Sequence, residues 1–277
     1  MKLSANADLR KAAALARYGY DAIDAGLYRV IYHDDPFPHN PLLDDAENYE
    51  KELDKHIEIC EKLGLLIETT HLPYRFAYED PSIPNYDYYH EMTCRSLKAS
   101  EYMGAKWAVL HIANPEATEL YVKRLFADTG VKNVGIAIEN LADKPIEELI
   151  AAHDSLKAQG YNVGICFDTG HCNVNVHYER DVADTVRLLG DRIKMLHVHD
   201  NMRNSDRHGV PYTGNIKWRG VMRALAEVGY EGSLNLELQP EKIPESAREE
   251  FEKYSAAIGR VLIAEFEKCK AEIDLKK

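Results

Sequence analysis

The sequence predicts an α/β protein of one domain spanning residues 1–277, a (β/α)8 TIM barrel. Three observations carry that expectation. One phrase recurs seven times: an amphipathic helix, a glycine, a few residues, then an apolar run. The apolar runs are short and nearly continuous, as parallel strands covered on both faces require. The chain of 277 residues also suits one closed barrel, and no G-x-G-x-x-G or G-x-x-x-x-G-K-[ST] run supports an open nucleotide-binding sheet.

The elements follow in order. The first strand, Lys2–Ala5, rests only on Leu3 and its neighbours. A-R-Y-G-Y-D-A-I-D around Gly19 closes a helix and opens a second strand at Asp21–Leu27. E-K-L-G-L-L-I-E (Gly64) leads to Leu65–His71, and E-Y-M-G-A-K-W-A-V-L (Gly104) to Trp107–Ile112. D-T-G-V-K-N-V-G-I-A-I (Gly130) and K-A-Q-G-Y-N-V-G-I-C-F (Gly160) open strands at Val134–Glu139 and Val163–Asp168. R-L-L-G-D-R-I-K-M-L (Gly190) and A-E-V-G-Y-E-G-S-L-N-L (Gly229) complete the set with Ile193–His199 and Ser233–Leu238. A glycine can take the left-handed conformation that ends a helix, so each phrase reads as a helix terminus feeding a strand. Two connections are long: Tyr32–Asp45, rich in proline and aromatics and suited to cover a pocket, and Asp200–Lys217.

Composition narrows the function classes. Hydrophobic residues make up 45% and charged residues 29%, enough for a large core and against disorder. No apolar stretch approaches the ~20 residues that span a bilayer. The opening Met1-Lys2-Leu3-Ser4 lacks a signal-peptide run, so a cytoplasmic location is expected. Five cysteines without a C-x-x-C pair read as reduced thiols. A net charge of −12 weighs against nucleic acid as a partner, because a polyanion is repelled unless basic residues gather on one face.

In a barrel of this kind the C-terminal strand ends converge on one mouth. Six successive strand ends deliver metal-ligand side chains there: His71, His111, Glu139, Asp168 with His171, His197 with His199, and Glu237. Each taken singly has a plain structural explanation as a packing histidine or an ion-pair partner. Together they would be a crowd of unpaired acids and imidazoles without a cation, so a divalent-metal site is predicted. In the strand-seven loop, Asp206 and His208 share an Asp-x-His spacing that points both side chains the same way if the stretch is extended. Arg203 and Arg207 could grip a substrate phosphate or carboxylate, and Trp218 could cover the apolar face of a sugar. For each of the three, a solvated loop charge or core packing is the competing reading.

These residues, in this order, resemble the xylose isomerase-like barrel superfamily, which holds sugar-phosphate isomerases and epimerases and endonuclease IV. The resemblance covers essentially the whole chain and is sharpest in F-D-T-G-H (167–171), H-V-H-D-N (197–201) with D-R-H (206–208), and L-N-L-E-L. In the epimerase branch it implies one metal, Mn, Mg, Co or Zn, held by Glu139, Asp168, His197 and Glu237, with His199 the weaker strand-seven candidate. In the nuclease branch it implies three zinc ions with nine ligands: those four together with His71, His111, His171, Asp206 and His208. Against the nuclease stand the negative charge and an acidic Tyr32–Asp45 loop where phosphate contacts would need cations.

The expected activity is therefore a metal-dependent isomerase or epimerase acting on a small carbohydrate. Glu139 and Glu237, three strands apart, would face each other across the mouth as catalytic bases, and His171 would orient a substrate oxygen. A dehydratase or lyase would share the first proton transfer. A barrel kept only for binding would be expected to lack ligand residues, and none is missing. Oligomeric state stays open, although relatives often pair through loop and helix surfaces.

Overall fold

The computed structural model describes residues 1–27, 40, 42–73, 77–175, 177 and 181–276. Eight parallel strands run β1 Leu3–Ala7, β2 Ala22–Gly26, β3 Leu66–His71, β4 Trp107–His111, β5 Gly135–Glu139, β6 Val163–Asp168, β7 Ile193–His197 and β8 Leu234–Leu236. Their order around the sheet is β7-β6-β5-β4-β3-β2-β1-β8, and a parallel bridge between Val198 and Leu236 joins the two ends. The closed (β/α)8 architecture is thus the one expected. Strand ends shift by a residue or two. β1 runs on to Ala7, β8 is shorter at both ends, and β7 stops at His197 rather than His199.

The helices form the outer layer: α1 Ala12–Arg17, α2 Tyr49–Leu63, α3 Tyr86–Tyr102, α4 Pro115–Thr129, α5 Ile146–Ala158, α6 Thr169–Val174, α7 Val182–Leu189, α8 Trp218–Glu227 and α9 Glu245–Asp274. All seven predicted junction glycines have positive φ, and Gly64 and Gly130 are left-handed caps of α2 and α4. The 30-residue α9 lies against β1 and β8 where Gly259 brings its backbone onto Leu3; any Cβ there would strike that side chain.

Period-two alternation sorts the strand residues into two cores. Leu110, Ile136, Ile138, Ile165, Phe167 and Leu196 point outward to the helices. Val109, Ala137, Cys166 and Met195 form a separate cluster inside the barrel with Trp107 below them. Trp107 fits because its neighbours are Gly135 and Gly164, where a Cβ would collide with the indole or with Lys194. Two residues further along the same strands stand His111, Glu139, Asp168 and His197. The packed interior is therefore the floor on which the mouth residues rest.

Of the long Tyr32–Asp45 connection, residues 32–39 and 41 lie outside the described residues. Of the rest, Leu42 and Leu43 are buried and Arg95 of α3 donates to the Leu43 carbonyl at 2.6 Å. Among the described residues no helix is long and apolar enough to cross a membrane.

Candidate metal centre and active site

Parallel register sets the ligand-type residues side by side: Asn6 against Asp24, Gly26 against His71, His111 against Glu139 and Asp168 against His197. Glu139, Asp168, His197 and Glu237 each bring one donor atom into a group whose members all lie within 4.8 Å of one another. His197 Nδ1 is 2.8 Å from Glu139 Oε1 and 3.4 Å from Glu237 Oε2. The two glutamates were expected to face each other across the mouth. Both also reach the one point where a shared cation was expected, at two depths. The Glu139 side chain is 1% exposed and the Glu237 side chain 14%.

Further groups adjoin this one. His71 Nε2 and His111 Nε2 lie 3.5 and 3.1 Å from Glu139 Oε2. His171 Nδ1 donates to the Asn140 carbonyl at 2.9 Å, which turns Nε2 to Asp206 at 3.4 Å. His208 Nδ1 donates likewise to the Glu237 carbonyl, and its Nε2 meets Asp206 at 3.0 Å. All nine positions therefore come together at the mouth, along with His199, whose Nε2 is 3.1 Å from Asp168 Oδ2 and whose ring stacks on His208 at 4.1 Å. The extended geometry supposed for Asp206-x-His208 is not what aligns them, because His208 has φ 48°.

The charges respond to one another. Burial alone would raise the Glu139 carboxyl, but His197 and His111 outweigh it and hold it well below the usual carboxylate range. Burial would lower His197, yet Cys166, Glu237, Glu139 and Asp24 push it well above the usual imidazole range. Burial likewise opposes the ionised form of Asp168, while His171 and His199 bring it down to about 2.

Asp24 is the residue that sequence reasoning missed. It sits fully buried in β2, accepting from Asn6 Nδ2 (2.6 Å), Thr69 Oγ1 (2.7 Å) and Asn235 Nδ2 (3.2 Å). His197 Nε2 lies 3.3 Å from its Oδ2. A carboxylate on Nε2 fixes the tautomer and leaves Nδ1 to serve the centre. The signal was present, since Asp24 is a charge inside the apolar run A-I-D-A-G.

The expectation for Trp218 fails. Its side chain is 1% exposed, packed in the core, and Nε1 donates to Asp200 Oδ2 at 2.8 Å. The reason lies in the Asp200–Lys217 loop, which is built around the buried Asp200. That carboxylate also accepts from the backbone N–H groups of Asn201, Tyr212 and Ile216. It holds a loop in which Arg203, His208 and Tyr212 all have positive φ, at roughly 1–2 kcal/mol each. Arg203 and Arg207 are exposed, and Arg203 Nε braces the loop by donating to the Asn173 carbonyl at 3.2 Å.

The donor set fits a hard or borderline divalent cation: carboxylate oxygens and imidazole nitrogens from four strands, with orienting bonds behind them. At the mouth, Glu237 Oε2 is buried without a hydrogen bond, as an oxygen suited to hold a cation would be.

Fold and mouth together define a (β/α)8 barrel with a cluster of metal-ligand side chains at its C-terminal face. The chain belongs to the xylose isomerase-like TIM barrel family, whose model matches residues 12–256. It is similar to D-psicose 3-epimerase of Enterocloster bolteae, 33% identical over 76 residues, covering 27% of this chain and 23% of that protein. Fructoselysine 3-epimerase of Escherichia coli O157:H7 is 34% identical over 73 residues, covering 25% and 26%. The matched segments thus span about a quarter of those relatives. Among solved structures, a D-tagatose 3-epimerase-like protein superimposes with a TM-score of 0.68 at 18% identity, covering 98% of this chain and 99% of that one. L-ribulose 3-epimerase gives 0.67 at 15%, covering 100% and 98%. At such identities these likenesses speak for the fold.

Proposed function

We propose that the protein is a divalent-metal-dependent isomerase or epimerase of a small sugar, cyclic polyol or sugar phosphate. The observation that carries the reading is the convergence of Glu139, Asp168, His197 and Glu237 on one point at the barrel mouth. The sugar-epimerase names borne by its relatives support the substrate class.

In this reading those four residues hold the cation. Held there, a divalent cation would supply a Lewis acid for a substrate carbonyl and for the negative charge that loss of the neighbouring proton leaves. Glu237, nearer the rim, removes that proton, because its carboxylate is the one an incoming substrate meets. Glu139, deeper and kept ionised by its imidazoles, serves the opposite face. Return of the proton to the other face of the same carbon gives epimerisation; return to the neighbouring carbon gives isomerisation. His171, steered by Asn140, orients a substrate oxygen through Nε2. Asp24 holds His197 in place.

The test is solvent exchange in D2O with added Mn²⁺ over a panel of ketoses and their phosphates. Deuterium should enter at the carbon next to the carbonyl. No exchange, together with cleavage of abasic-site duplex DNA, would transfer the protein to an endonuclease IV-like reading. One observation favours that second reading: His71 and His111 beside Glu139, and His171, Asp206 and His208 together, complete the nine positions. Metal analysis of the mouth separates the two, with three zinc ions there for the nuclease and one exchangeable ion there for the sugar enzyme. A dehydratase would exchange the same proton but yield a product lacking a water.

A further inference from the structure

A separate group of ligand-type side chains lies in the outer helical layer, away from the mouth. His90 and Cys94 stand one turn apart on α3, and Asp128 comes from the last turn of α4. Their donor atoms all lie within 4.8 Å of one another. His90 Nε2 is 2.9 Å from Asp128 Oδ2 and 3.5 Å from Cys94 Sγ. The other ring nitrogen, Nδ1, is 3.2 Å from the hydroxyl of Tyr121, a ring held by stacking on Tyr78 at 4.4 Å. His90 is buried, Cys94 half-buried and Asp128 exposed, so the group is fixed on its inner side and open on its outer side.

A His90–Asp128 ion pair clamping α3 to α4 would account for two of the three residues but not for the thiol. A nucleophile relay is excluded by geometry. In a Cys–His–acid relay the thiol and the carboxylate occupy opposite ring nitrogens, and here both face Nε2. Coordination explains all three. A tetrahedral ion with bonds of about 2.3 Å to sulfur and about 2.0–2.1 Å to nitrogen sets those atoms roughly 3.5 Å apart, the separation observed. The corresponding nitrogen–oxygen separation is about 3.3 Å, so only the exposed Asp128 side chain must withdraw by a few tenths of an ångström. The Tyr121 hydroxyl behind Nδ1 is the supporting partner that metal-binding histidines usually have.

We propose that His90, Cys94 and Asp128 form a second metal site, on the outside of the barrel, for a borderline-soft divalent cation such as zinc, with its remaining position open to solvent. On binding, the Cys94 S–H bond breaks, its proton goes to solvent and a metal–thiolate bond forms, so one proton leaves with no change of oxidation state. Arg124, whose Nε is 3.3 Å from Asp128 Oδ2, is the cation that must give way or move to the other carboxylate oxygen. The bound ion would tie α3 to α4, the helices on either side of β4 and its terminal His111.

Cadmium is the probe, because its thiolate complexes absorb in the ultraviolet and, among the described residues, no cysteine belongs to the ligand groups at the mouth. Titration of the full chain should raise a sulfur-to-cadmium band that saturates at one ion per chain. Cys94→Ser should abolish the band and leave proton exchange on sugars unchanged. Asp128→Asn, at an exposed position and with thermal unfolding checked beside it, should weaken cadmium binding by about tenfold or more. No band in the wild type, or a band that survives Cys94→Ser, overturns the proposal. Wild-type affinity in Asp128→Asn also overturns it, since that is cadmium on a lone thiol.

Discussion

Replacing Asp24 by Asn tests whether a buried carboxylate that never faces the mouth governs metal affinity there. The amide is isosteric, so its oxygen can still accept from Asn6, Asn235 and His197, and the Thr69 hydroxyl can turn to accept from its NH2. What disappears is the charge behind His197 Nε2. Removing such a supporting group usually costs 10- to 100-fold in metal affinity. The 3.3 Å separation is longer than the roughly 2.8 Å of a good charge-assisted bond, which points to the lower end. A loss of about tenfold, or about 1.4 kcal/mol, is expected. Asp24→Ala is the poorer experiment, because it strands four buried donors at ~1–3 kcal/mol each and endangers the fold. The assay is Mn²⁺ binding followed by the electron paramagnetic resonance of the free ion, beside thermal unfolding of the metal-free protein. Mn²⁺ affinity unchanged in a folded Asp24→Asn variant would refute the idea that Asp24 orients His197.

Three more outcomes follow from the same geometry. Glu237→Gln should abolish turnover while leaving thermal unfolding close to wild type, since the side chain sits near the rim; retained activity would remove it from the chemistry. Trp218→Phe strips a buried donor from Asp200 and should cost about 1–3 kcal/mol of stability with KM unchanged; a raised KM with unaltered unfolding would restore Trp218 to the sugar's face. Against burial, Asp206 and Glu237 push His208 up to about 9, so its contribution to metal-free stability is full below the ordinary imidazole pKa of about 6.5. That contribution is lost as pH rises through about 9, and a cation must displace the proton to use this nitrogen. Melting temperatures of chelator-treated protein should fall between about pH 7 and about pH 10, and a flat profile would contradict the assignment.

Much of the mouth was legible because a parallel strand ending in His, Asp or Glu has few cheap ways to bury that group. The same rule applied inside a strand would have found Asp24, but an acid at a strand's middle reads as an interruption until the register shows Asn6 and Thr69 beside it. Trp218 went the other way. A helix-start tryptophan is more often core than sugar platform, and the loop around Asp200 turns this indole inward. His199 was ranked below His197, and it is His197 that joins Glu139, Asp168 and Glu237, although both histidines are fully buried against carboxylates.

By itself the sequence determined the periodic parts of this protein. The glycine after each helix and the length of each apolar run are local properties, and eight such units leave few ways to close a sheet. Tertiary structure alone decided the depths and partners at the mouth. Glu139 and Glu237 reach one point from segments about a hundred positions apart in the chain. His197 beside them is held from behind by Asp24, 173 positions earlier in the chain. Those are contacts between distant segments, and no local pattern encodes them.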